Sequence, residues 1–160
     1  MSTAKRGSFL DSLNADERKA LIACCTSLSF ASGQILISEG GEAGTMLFLA
    51  KGTARVIRGN VEIDNVGSGA VIGEMALIDP APRSASVIAS SGGTAYQLES
   101  GRFQEMLAAG DATAVRMLGL LTEVMCDRLG NITAQVEQEV LKPPEESGFR
   151  ALWRRIRGAL

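Results

Sequence analysis

The stretch Ile72-Gly73-Glu74-Met75-Ala76-Leu77-Ile78-Asp79-Pro80-Ala81-Pro82-Arg83-Ser84-Ala85-Ser86-Val87 breaks the rhythm of the chain around it. From Leu28 to Leu98, short runs rich in Val, Ile, Leu and Phe otherwise alternate with glycine-bearing turns. These include Ser32-Gly33, Glu39-Gly40-Gly41-Glu42, Lys51-Gly52, Gly59-Asn60, Gly67-Ser68-Gly69 and Ser91-Gly92-Gly93. Runs of this kind read as strands, because β-branched and aromatic residues suit a pleated, half-buried surface and glycine suits tight turns. Strands are predicted near 28–31, 34–38, 45–50, 53–58, 61–66, 85–90 and 94–99, forming an antiparallel β-sandwich or jelly-roll barrel. Within 73–80 the β-branched alternation stops and a proline follows, which predicts a single helical turn inside a loop. An irregular insertion in a β-scaffold is a usual place for function.

The residue types in that loop suit one ligand class. Free backbone N–H groups of a short helix and the Arg83 guanidinium together bind an anion, and bonds from arginine to an anion are about twice as strong as neutral ones. Glu74 repels a bare phosphate, but it is a good acceptor for a hydroxyl a few ångströms away. Phosphate plus hydroxyl describes a sugar phosphate.

The loop resembles the phosphate-binding cassette of cyclic-nucleotide-binding domains, the family of catabolite activator protein and the regulatory subunits of cyclic-AMP-dependent protein kinase. The segments Gly33-Gln34-Ile35-Leu36-Ile37 and Glu39 to Val56, with their glycine turns, are similar to the family's early strands, and the resemblance covers roughly residues 9 to 140. It implies a non-enzymatic sensor in which Glu74 binds the ribose 2′-hydroxyl and Arg83 the cyclic phosphate. Gly73, Ala76 and Ser84 lie close enough for backbone contacts, Met75 belongs to the same ligand-binding set, and Ala85 and Ser86 continue toward the base. Relatives that prefer cyclic GMP often carry threonine directly after the arginine; here that residue is Ser84, so base preference stays open, with cyclic AMP favoured. The resemblance also implies that the C-terminal helix moves over the ligand and relays binding to an effector protein.

Composition removes several alternatives. The 160 residues contain no histidine, the commonest general base and transition-metal ligand, which disfavours most hydrolytic and metal-dependent mechanisms. Neither metal nor cofactor is expected beyond the nucleotide ligand. A net charge of −2 argues against a general nucleic-acid binder. Hydrophobic residues make up 46% of the chain and aromatic ones only 4%, so an aliphatic core is expected. Cys24, Cys25 and Cys126 are a poor disulfide framework and are expected as buried free thiols in a reducing cytoplasm. No apolar run reaches membrane-spanning length, and Met1 to Gly7 has basic residues without an apolar stretch behind them, which predicts no signal peptide.

Helices flank the strands. Asn14 is a predicted N-cap with Glu17 three residues on, opening a helix over about 15–25. Ser100 is a predicted cap for a short helix carrying Phe103, Met106 and Leu107, and Asp111 for a long one to about Leu141. Val115, Leu118, Leu121, Met125, Leu129, Ile132, Val136 and Val140 form its apolar stripe. No aromatic residue lies on this helix, so Leu121, Met125, Leu129 or a distant Trp153 is left to cover the base. The predicted organisation is a nucleotide-binding domain over 9–141, its residues 112–141 a lid or homodimerisation helix. A linker over 142–148 leads to a basic amphipathic tail helix over 149–160, which suits an anionic membrane surface or a partner. One short tail helix gives no helix-turn-helix, so DNA binding by this chain alone is not expected. The rival reading is an interaction module with a vestigial nucleotide site, working through the long helix and tail.

Overall fold

The capping box at the first helix forms as the sequence requires: Asn14 Oδ1 accepts from the Glu17 N–H at 2.8 Å, and Glu17 Oε2 accepts from the Asn14 N–H at 2.9 Å. Helix α1 is Ala15–Ala23, two residues shorter than expected. Strand β1, Thr26–Phe30, begins at once and pairs with β8, which draws Cys24 and Cys25 out of the helix. The computed structural model describes residues 8–77 and 81–140. Ile78, Asp79, Pro80, Leu141, the predicted linker and the predicted tail with Trp153 lie outside the described residues.

The remaining strands are β2 (Ile35–Ile37), β3 (Thr45–Lys51), β4 (Ala54–Arg58), β5 (Val61–Val66), β6 (Val71–Ile72), β7 (Ser86–Ala89) and β8 (Gly93–Glu99). They form two antiparallel four-stranded sheets, ordered β1-β8-β3-β6 and β2-β7-β4-β5. The expected β-sandwich and every expected strand are therefore present. Only β6 had no counterpart in the sequence reading, because its two residues are too few to show alternation.

The core between the sheets is aliphatic: Ile37, Leu47, Leu49, Ala54, Val66, Ile72, Val87, Ala89 and Ala95 are buried with Phe30. Strand β3 is buried on both faces, since Leu47 and Leu49 point into this core while Met46 and Phe48 point the other way and are also fully enclosed. The Phe9 ring, from the 3-10 turn Phe9–Ser12, stacks on Phe48 with centroids 5.3 Å apart.

The chain divides into two compact units, one ending at Thr122 and the other starting at Glu123. Helix α2, Ser100–Ala108, is capped differently from the expectation. Glu99 is the N-cap residue and still pairs with Thr45, so Ser100 is already helical; its N–H donates to the Gly44 carbonyl at 2.9 Å and its buried hydroxyl caps nothing. Asp111 does cap α3, Ala112–Val140, its Oδ1 accepting from the Ala114 N–H at 2.9 Å.

The stripe on α3 needs correction. Its inward face in the first unit is Ala114, Met117, Leu120 and Leu121, all buried, whereas Val115 and Leu118 are exposed. The buried face is one residue round from the one with the largest side chains. Leu121 is fully enclosed in the first unit. In the second unit Leu129 is exposed. The cysteines also differ from expectation: Cys24 and Cys25 are half-buried and Cys126 is exposed. Among the described residues no helix is long and apolar enough to cross a membrane, and no group of three His, Cys, Asp or Glu side chains is placed to hold a metal ion.

Candidate functional site

Gly73 ends β6 and turns the chain. Its φ of +80° lies where glycine is at ease and other residues are strained, and a Cβ there would stand 2.7 Å from Arg83 Nη1, 3.0 Å from the Thr45 carbonyl oxygen and 3.3 Å from Ile37 Cδ1. The next four residues, Glu74–Leu77, form a 3-10 turn closed by the Ala76 N–H donating to the Gly73 carbonyl at 3.1 Å. This is the helical turn expected within the loop.

Glu74 is buried, only 3% exposed. An ionisable side chain is seldom enclosed unless paired, and here the Arg83 guanidinium supplies the opposing charge. Burial lowers the Arg83 pKa, and the Glu74 carboxylate acts in the opposite direction. Arg83 Nη1 donates to the Gly73 carbonyl at 3.2 Å, while Nη2 donates to the carbonyl and, at 3.4 Å, to the hydroxyl of Thr45. The guanidinium therefore sits on the carbonyl of the glycine that precedes the buried carboxylate. The guanidinium is held in position by the carbonyl oxygens of Gly73 and Thr45.

The loop's far end is tied down as closely. The Arg83 N–H donates to the Gly41 carbonyl at 2.9 Å, and the Gly40 N–H to the Arg83 carbonyl at 2.8 Å. Arg58 Nε donates to the Ser84 carbonyl at 2.9 Å. The Ser86 hydroxyl accepts from the Glu39 N–H at 2.9 Å, and Glu39 Oε2 accepts from the Gly59 N–H at 2.7 Å. Thus the Glu39–Gly41 turn, the β4–β5 hairpin and residues 83–86 are joined by hydrogen bonds.

Of the residues expected at the site, Gly73, Glu74 and Arg83 are brought together. Ala76 is buried beside them, Met75 is half exposed, Ser84 is exposed, and Ala85 and Ser86 lead into β7. The sequence reading missed Thr45, Glu39, Gly41 and Arg58 as partners of the loop. The Glu39-Gly40-Gly41 turn was visible, but its pairing with residues more than forty positions away was not.

Two antiparallel sheets thus carry, in one loop, a buried glutamate and an arginine hydrogen-bonded to the glycine that precedes the glutamate. Residues 27–109 match the family model of the cyclic nucleotide-binding domain, and the chain belongs to that family. It is 33% identical over 118 residues to a cAMP-dependent protein kinase regulatory subunit of Hypocrea atroviridis, a match covering 72% of this chain and 26% of that protein. It is 30% identical over 130 residues to glutaminase 1 of Bradyrhizobium diazoefficiens, covering 81% of this chain and 21% of that protein. A crystal structure of a cyclic nucleotide-binding domain from Methylobacillus flagellatus superposes with a TM-score of 0.74 at 25% identity, covering 82% of this chain and 76% of that one. The chain thus spans 21% and 26% of the length of these two curated relatives.

Proposed function

We propose that this chain is a non-enzymatic sensor that binds cyclic AMP, with Glu74 accepting a hydrogen bond from the ribose 2′-hydroxyl and Arg83 pairing with the cyclic phosphate. The observation that carries this reading is the buried Glu74 directly after Gly73, whose carbonyl accepts from the Arg83 guanidinium. A solvated surface ion pair would need no such enclosure. Gly73, Ala76 and Ser84 supply backbone contacts, Met75 flanks them, and Ala85 and Ser86 extend the site toward the base. The kinase regulatory subunit among the relatives supports cyclic AMP as the first ligand to test.

The output is a shift of the C-terminal helix, residues 112–141, between ligand-free and ligand-bound arrangements, read by an effector protein or a second copy of the chain. Val115 and Leu118, exposed and three residues apart, offer an apolar surface for that contact. The similarity of this module to part of a glutaminase supports a place beside an enzyme whose activity it regulates.

Titration calorimetry on nucleotide-stripped protein with cyclic AMP and cyclic GMP tests the reading. Binding is expected, together with a weakening of at least about thirtyfold in Arg83→Ala, since removing a buried charged partner costs on the order of 2–5 kcal/mol. Absence of heat and of thermal shift with both ligands at millimolar concentration would overturn it.

A further inference from the structure

Residues 83–85 contain two successive peptide groups whose carbonyls are both held from outside the loop. The Arg83 carbonyl accepts from the Gly40 N–H at 2.8 Å, and the Ser84 carbonyl accepts from Arg58 Nε at 2.9 Å. Both peptides are trans, and a trans peptide is planar with its carbonyl oxygen and its N–H on opposite edges. Pinning the two oxygens therefore also fixes the directions of the Ser84 and Ala85 N–H groups. Among the described residues neither of these N–H groups has a hydrogen-bond partner, and Ala85 is half-buried. A backbone donor in a half-buried loop is normally paired with protein, water or ligand.

The two pins differ in kind. Gly40 holds its carbonyl through the backbone, which any residue supplies, whereas the Ser84 carbonyl depends on one side chain. On β4, Ala54 is buried in the core and Val56 packs against it. Side chains alternate along a strand, so Arg58, two residues beyond Val56 and last in β4, lies on that same inner face. There the core has ended, and the exposed arginine reaches the loop instead. On the other side of Ala85, the Ser86 hydroxyl accepts from the Glu39 N–H. Ala85 is thus bracketed by a held group before and after it.

We infer that Arg58 is a positioning residue of the nucleotide site. By holding the Ser84 carbonyl it turns the Ala85 N–H toward the bound nucleotide, next to the Ser84 N–H and the Arg83 guanidinium. The inference rests on the cyclic-nucleotide reading above. Arg58 acts here through a peptide group and not by touching the ligand, so what matters is a donor at the Nε position. A cation acting on the ligand at a distance would need only its charge, and salt would screen it.

Glutamine and methionine separate the two roles. Counted from Cα, each side chain is as long as arginine is to Nε; glutamine places an N–H donor at that point and methionine only a methyl group. Titration calorimetry with cyclic AMP on wild type, Arg58→Gln and Arg58→Met, at about 0.05 M and about 0.5 M salt, is paired with the urea midpoint of each protein. Arg58→Met should bind about fivefold or more weakly than wild type at both salt concentrations with an unchanged midpoint, and Arg58→Gln should stay within about twofold of wild type. Arg58→Ala takes the place of the methionine variant if that does not fold. Unchanged affinity in Arg58→Met, or a loss that Arg58→Gln shares in full or that high salt removes, overturns the inference and leaves the sensor reading standing. A loss matched by a fall in the urea midpoint makes Arg58 a support of the fold and also overturns it. Failure of wild type to bind cyclic AMP overturns both readings.

Discussion

Arg83 Nη1 donates a hydrogen bond to the carbonyl of Gly73 at 3.2 Å, so the residue that begins the turn also holds the cation that follows it. The contact requires Gly73 to have no side chain, because a Cβ would stand 2.7 Å from that same nitrogen at a backbone φ of +80°. Gly73→Ala is expected to lose about 2 kcal/mol of stability from backbone strain alone. Urea denaturation checks this, and a cost below about 0.5 kcal/mol would contradict the geometry.

Glu74 is the proposed acceptor for the ribose hydroxyl, which makes a chemical-deletion experiment decisive. Wild type should bind cyclic AMP more tightly than its 2′-deoxy analogue by about tenfold or more, as a hydrogen bond to a charged group contributes about 1.5–3 kcal/mol. Glu74→Ala should bind the two about equally. Retained discrimination in the variant would assign the hydroxyl to another residue.

The loop's far end depends on a side chain outside it. The Glu39 carboxylate accepts from Gly59 in the β4–β5 hairpin, while its backbone N–H donates to the Ser86 hydroxyl. Glu39→Ala should accelerate amide hydrogen exchange at residues 39–41 and 83–86 by roughly tenfold, about 1.4 kcal/mol of local stability, while the amides of β3 stay protected. Uniform acceleration throughout the sandwich would mean that Glu39 supports the fold rather than the loop.

The cysteines should separate by reactivity. Burial, reinforced by Cys24, pushes the Cys25 thiol up to about 12, so at pH 8 its thiolate fraction is on the order of 10⁻⁴. Iodoacetamide should modify the exposed Cys126 first and Cys25 last, as mass spectrometry of digests would show. The unfolded chain releases the Cys25 proton at lower pH than the folded one. Its contribution to stability is therefore complete below the ordinary thiol range near 8.5 and is lost as pH rises toward 12. The melting temperature of wild type should fall over that interval more than that of Cys25→Ala.

Helix α3 supplies a paired prediction. Met117 and Leu121 are fully enclosed, and replacing either by alanine should cost about 2–5 kcal/mol. Val115→Ser or Leu118→Ser should leave the chemical stability of a dilute sample within about 0.5 kcal/mol. A large loss in those variants at high concentration alone, with a change in sedimentation, would identify the face that meets a partner.

The sandwich was legible because Val, Ile and Leu runs between Gly33, Gly52, Gly59 and Gly69 carry both the strand period and the turns. The short turn at Glu74 was legible for the opposite reason, the loss of that period. Register was not: nothing in the order of residues says that Val56 faces Asp64 or that Arg83 meets Thr45, since those pairings are set by the whole sheet. The α3 stripe was misassigned because side-chain size was weighed above fit. Ala114 offers little apolar surface, yet it is fully buried, and Val115 beside it is left in solvent. Ser100 was read as a cap from residue type alone, although β8 continues through Glu99 and takes that role away.

Thr45 begins β3, whose next four residues are buried and which is flanked by β8 and β6. Such a strand behaves as a rigid datum. If a phosphate draws the Arg83 guanidinium away from Thr45, the yielding must occur on the arginine's side, so the displacement has one direction rather than being shared. On the proposed reading the site would be a lever resting on a fixed pivot, its stroke set by how far Arg83 leaves the Thr45 carbonyl oxygen.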